Sequence, residues 1–105
     1  MAQEENKIQN ATLKFLLSEG VFAWRQGNHS IFDPKLNGYR THNGLKGVPD
    51  ILSVIKGQLV GWEIKTKTGR QSSDQKLFEK RLIRHGGRYF LIRSIDDVKK
   101  FYSSF

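Results

Sequence analysis

The chain contains no cysteine, which excludes disulfide bonds and thiolate-ligated metal sites. It has no apolar run approaching the roughly 18 residues of a membrane span, and its first ten residues, MAQEENKIQN, are polar and acidic, unlike a signal peptide. Acid is scarce, with ten Asp and Glu against 18 Lys and Arg, a net charge of +8 and a pI near 10.0. What is present suffices for one modest core: 105 residues, 37% hydrophobic and 11% aromatic. The expectation is a single soluble intracellular domain over residues 1–105.

A strong excess of positive charge favours a polyanionic partner, because bound cations release counterions from it. Its distribution narrows the inference. Residues 65–93 hold nine of the 18 basic residues (Lys65, Lys67, Arg70, Lys76, Lys80, Arg81, Arg84, Arg88, Arg93) and only two acids, Asp74 and Glu79.

Residues 4–19 read as a helix, with Ile8, Ala11, Thr12, Phe15 and Leu16 at helical spacing and Gly20 as its stop. VFAWR, 21–25, reads as a strand. Residues 26–47 read as a loop, with four Gly, three Asn and a Pro. PDILSVI (49–55) and LVGWEIKT (59–66) read as strands of a hairpin turned by KGQ. A helix over 73–86 carries Leu77, Phe78, Leu82 and Ile83 on one face. RYFLIRS, 88–94, reads as a fourth strand, and Ser94 with Asp97 opens a last helix whose stripe is Ile95, Val98, Phe101, Tyr102 and Phe105. The order α-β-β-β-α-β-α suggests a mixed sheet flanked by helices.

The hairpin carries three misplaced-looking charges. With its turn centred near residue 57, Asp50 and Glu63 fall nearly opposite each other, where two carboxylates repel unless a cation lies between them. Hard oxygen donors select Mg²⁺ or Mn²⁺. Lys65, two residues after Glu63, leaves the same face of the strand. It can orient or deprotonate a water, or offset charge on a phosphate. A plain reading also exists: Asp50 as a polar strand entrance, and Glu63 with Lys65 as a solvent-facing stripe. The three together, followed by the basic segment, favour the chemical reading. The three histidines, His29, His42 and His85, show no metal-binding spacing, and Trp24 and Trp62 read as core.

Pro49-Asp50 followed thirteen residues on by Glu63-Ile64-Lys65 resembles the PD-(D/E)xK nuclease signature, and the element order resembles that fold's core. The chain more specifically resembles the VRR-Nuc branch, including its small stand-alone phage-type members. The likeness rests on E-N-K-I-Q at 5–9, G-V-P-D at 47–50, E-I-K at 63–65 and S-x-x-Q at 72–75. The resemblance implies that Asp50 and Glu63 are metal ligands together with the Ile64 carbonyl, that Lys65 is catalytic, that Glu5 is a further acidic ligand, and that Gln75 is a secondary site residue. Glu5 also reads as an ordinary acid at a helix N-terminus, and Gln75 as an ordinary first-turn residue. Lys67, Arg70 and Lys76 are candidate phosphate contacts. Lys46 and Arg40, with Lys35 and Tyr39, sit on the 26–47 loop, which could close over DNA.

The implied activity is a Mg²⁺- or Mn²⁺-dependent DNA endonuclease in the cytoplasm of a bacterial or phage-infected cell. It would act as a homodimer on four-way junctions, with flaps or linear duplex as alternative substrates. The apolar C-terminal stripe reads equally as a dimer surface or as packing on the chain's own sheet. A non-catalytic DNA-binding module is the reading from another class.

Overall fold

The computed structural model describes residues 2–26, 30–33, 35, 38–41 and 45–105. Helix α1 runs Ala2–Ser18. Its apolar positions meet the core through Leu16, which is wholly buried, with Ile8, Leu13 and Phe15 packed beside it. Gly20, at φ +77°, ends the helix. The Gly20 and Val21 amides donate back to the Leu17 and Leu16 carbonyls at 3.0 Å each, the left-handed closure that glycine adopts without strain.

The main sheet has four strands in the order β1 (Phe22–Arg25), β4 (Ile51–Ile55), β5 (Gln58–Ile64) and β6 (Arg88–Ile92). The first two junctions are antiparallel and β5–β6 is parallel. β4 and β5 join through Lys56 (φ 51°) and Gly57 (φ 81°), a two-residue turn with both centres left-handed, which suits the twist of a hairpin. Helix α2 (Ser73–Arg84) crosses from β5 to β6, and α3 (Ile95–Tyr102) follows β6.

Strand alternation divides the sheet into two faces. Ile51, Ile55, Val60, Trp62, Ile64 and Ile92 share one face and form the core with Leu16 of α1 and Val98 of α3. Trp62, fully buried, has its one polar atom satisfied: its indole N–H donates to Ser53 Oγ at 3.0 Å, and Ser53 in turn donates to the Val60 carbonyl. The opposite face holds Leu52, Gly61, Glu63 and Tyr89, and α2 covers it through Leu82.

The C-terminal stripe packs within the chain. Phe101 stacks on Phe90 (4.8 Å, 16°), Phe105 meets the same ring edge-on, and Tyr102 meets Phe15 edge-on at 5.5 Å. Arg88, half-buried, lies over the rings of Phe90 and Phe105 at 4.9 and 4.4 Å, a cation–π stack on the C-terminal aromatics.

The reading of 26–47 as loop throughout needs correcting. β2 (Ser30–Asp33) and β3 (Gly38–Thr41) pair as a separate antiparallel ribbon, Arg40 opposite Ile31 and Tyr39 opposite Phe32. Four-residue strands of β-branched and aromatic residues were hidden by the Gly and Asn around them. His29, His42 and Asn28 lie outside the described residues.

Candidate active site

The register of β4 and β5 places Ile51 opposite Trp62, so the next pair outward is Asp50 and Glu63. Asp50 is held twice. Its Oδ2 accepts from the Ile64 amide at 2.8 Å, and its backbone carbonyl accepts from the Gln26 amide at 2.8 Å. Glu63 points to the α2 face and is 2% exposed. Its Oε2 lies 3.9 Å from Lys65 Nζ, and its Oε1 is buried with no hydrogen-bond partner. Lys65 is fixed at the end of the strand, its amide donating to the Ile92 carbonyl at 3.0 Å.

Burial pushes the Glu63 carboxyl up to about 9. The adjacent Asp50, through its charge and a side-chain hydrogen bond, pushes it the same way, as does the charge of Glu5, while Lys65 opposes. Glu63 therefore holds a proton at neutral pH. Two facing carboxyl groups, one held against ionisation by burial and with an orphaned oxygen, form a donor set that fits a hard divalent ion. Among the described residues, no three of His, Cys, Asp and Glu gather as a metal-holding cluster. Glu5, in the first turn of α1, reaches Glu63 through its charge without joining the pair.

Two glycines set the position of the turn that carries Asp50. A methyl group at Gly61 would stand 2.6 Å from Pro49 Cγ, so Pro49 is seated on bare backbone of β5. A methyl at Gly47, itself at φ +78°, would stand 2.3 Å from the Asp74 carbonyl oxygen. The 47–50 turn is thus wedged between β5 and the first turn of α2. That first turn is closed by a capping box: the Gln75 amide donates to Ser72 Oγ at 3.2 Å, and the Ser72 amide donates to Gln75 Oε1 at 2.8 Å. The S-x-x-Q motif therefore has a local task, and the carbonyl end of the Gln75 side chain is occupied by it.

Beyond the cap, Gln71 Nε2 donates both to Glu79 Oε1 (3.0 Å) and to the Tyr89 hydroxyl (3.1 Å). Tyr89 lies opposite Gly61 on the face of Glu63. Burial, followed by the charges of Glu63, Glu79 and Asp50, raises its hydroxyl above the ordinary range, against the Gln71 hydrogen bond.

Of the expected phosphate contacts, Lys46, Lys67, Arg70 and Lys76 are all exposed, and the side chain of Arg40 lies outside the described residues. Arg25 is engaged with Asn10 Oδ1 of α1. Gln26 is the site neighbour that the sequence reading missed. It stands opposite Asp50 at the end of β1, its Oε1 accepting from the Trp24 indole at 3.3 Å. Only the long-range β1–β4 register reveals it.

No protein-family model and no curated protein sequence matches the chain. A solved structure titled "VRR_NUC domain" superposes with a TM-score of 0.68 and 18% identity, covering 97% of each chain. The fold is that of a VRR-Nuc domain, the architecture that the motif resemblance implied.

Proposed function

We propose that this chain is a VRR-Nuc nuclease that hydrolyses phosphodiester bonds in DNA with a bound divalent metal. One observation carries the reading: on this fold, half-buried Asp50 faces buried Glu63, with Lys65 Nζ 3.9 Å from Glu63 Oε2. Stability does not account for the pair, since burial holds one of its carboxyls against ionisation.

Asp50 and Glu63 would hold Mg²⁺ or Mn²⁺, with the Ile64 carbonyl and Glu5 as further donors. When bound, the ion supplies a Lewis acid for the scissile phosphate and a water of lowered pKa. The Ile64 amide fixes the Asp50 carboxylate, so the donor oxygens are set before substrate arrives. Lys65 directs its ammonium group to the same space, where it orients the attacking water and offsets charge building on the phosphate oxygens. Gln75, whose Oε1 closes the α2 cap, would serve as a secondary site residue through its free amide group. Lys46, Lys67, Arg70, Lys76 and Arg40 grip the DNA backbone without reading sequence.

The finer reading is a homodimer that resolves four-way junctions, two sites about a twofold axis giving paired nicks. It rests on resemblance to small stand-alone members of the family. The C-terminal stripe packs on its own sheet while Phe101, Tyr102 and Phe105 stay half-exposed, which leaves both uses of it open. No helix among the described residues is long and apolar enough to cross a membrane.

The test is cleavage of four-way junctions, flaps and linear duplex in Mg²⁺, Mn²⁺ or EDTA, beside sedimentation of the free protein. Metal-dependent cutting that disappears in EDTA is expected, with junctions cut fastest. Tight junction binding without cutting in any metal would instead support a binding module. Equal cutting of all three DNA forms would remove the junction preference.

A further inference from the structure

The turn after the lysine, Thr66–Gly69, is closed by the Gly69 amide donating to the Thr66 carbonyl at 3.1 Å. It folds back over the lysine stem: a methyl on Gly69 would stand 3.5 Å from Lys65 Cδ and 3.2 Å from Thr66 Oγ1. From the far side, Arg93 Nη1 donates both to the Thr66 carbonyl and to the Gly69 carbonyl, the latter at 2.8 Å. Arg93 is itself anchored. Its amide donates to Asp97 Oδ2 at 2.9 Å, while the Asp97 amide donates to Ser94 Oγ at 3.2 Å. The start of α3 thus holds Arg93, Arg93 holds both ends of the turn, and the turn backs Lys65.

We propose that Arg93 is a positioning residue for the nuclease reaction, its guanidinium clamping the 66–69 turn so that Lys65 is held at the carboxyl pair. The inference rests on the nuclease reading above. Arg93 touches neither carboxylate in the hydrogen bonds it makes, so its effect on chemistry passes through the turn. A guanidinium suits the task because the two N–H groups of Nη1 are held in one fixed plane and serve one carbonyl each, whereas an ammonium is a compact point donor on a flexible stem. The clamp also orders the backbone of Lys67, inside the turn, and of Arg70 just after it, both exposed.

The test compares the wild type with Arg93→Gln and Arg93→Lys, by single-turnover cleavage and by amide hydrogen exchange. Misplacing a catalytic group by about 1 Å costs on the order of 10²-fold in rate. The expected result is a fall in kcat of that order in Arg93→Gln, with KM within about threefold of wild type. The Gly69 amide should exchange faster while the Trp62 and Ile92 amides, which lie inside the β4–β5 and β5–β6 ladders, stay protected. Arg93→Lys is expected to recover only part of the rate, and it carries the test should Arg93→Gln fail to fold. A kcat in the folded variants within about twofold of wild type, or a rate loss with no change at Gly69, would overturn the clamp. A wild type that cuts no DNA in Mg²⁺ or Mn²⁺ would contradict the nuclease reading itself and the inference with it.

Discussion

Asp50 and Glu63 face each other one pair beyond Ile51 and Trp62 at the open end of the β4–β5 ladder, and only Glu63 is deeply buried. The asymmetry has a consequence for stability. Glu63 rises in the fold from 4.5 to about 9, so the folded protein binds the proton that the unfolded chain releases. For a raised acid, the favourable contribution is complete below the unfolded pKa and disappears as pH climbs through the folded one. Between those values the metal-free protein should lose up to about 1.4 kcal/mol per pH unit from this group. Thermal melts of wild type and Glu63→Gln should therefore diverge as pH rises across that window, with the glutamine variant the more stable. Parallel curves would contradict the buried, protonated state.

Gly61 and Gly47 should control activity through shape. Forcing a methyl against Pro49 in Gly61→Ala should cost about 1–3 kcal/mol, as overpacking does. Cutting should fall further than the loss of folded protein explains, because the displaced Pro49 carries Asp50 with it. Gly47→Ala meets backbone at 2.3 Å from a left-handed φ of +78°, and should be the less stable of the two. Chemical denaturation beside single-turnover rates checks both.

Lys65→Met should lower the cleavage rate about 10²–10⁴-fold, the range of a positioned acid–base group. Folding should be unimpaired, since at 3.9 Å from Glu63 Oε2 the Lys65 ammonium is too far away for a hydrogen bond. Circular dichroism and single-turnover assays separate the two effects.

The exposed bases should act on affinity alone. Each of Lys67→Ala, Arg70→Ala and Lys76→Ala should reduce the slope of log K against log salt by about 0.9 if it removes one phosphate contact. The cleavage rate at saturating DNA should stay at the wild-type value. Titrations at several salt concentrations give the slope, and an unchanged slope would mark that residue as a solvated surface charge.

The geometry of the candidate site was legible in the sequence where local structure determined it. A two-residue turn fixes the β4–β5 register, so the spacing of Asp50 and Glu63 was enough to oppose them, and alternation placed Lys65 beside Glu63. What depended on distant partners was hidden. Gln26 reaches Asp50 only through β1 pairing with a strand that begins 26 residues after β1 ends, Arg25 to Ile51. Arg88 and Arg93 counted as two bases of a cationic segment, whereas one lies over aromatic rings and the other binds carbonyls. The S-x-x-Q motif suggested site chemistry, and the cap it forms is a separate and sufficient cause for both residues. The β2–β3 ribbon was lost because its strands are short and lie among turn-forming residues.

The most direct measurement is calorimetric binding of Mn²⁺ without DNA, near neutral pH, in buffers of different ionisation enthalpy. A metal seated on Asp50 and Glu63 must displace the proton that burial keeps on Glu63. We predict release of about one proton per ion bound, with binding and release both lost in Asp50→Asn. Binding without proton release, or binding unchanged in Asp50→Asn, would contradict a metal site built on this carboxyl pair.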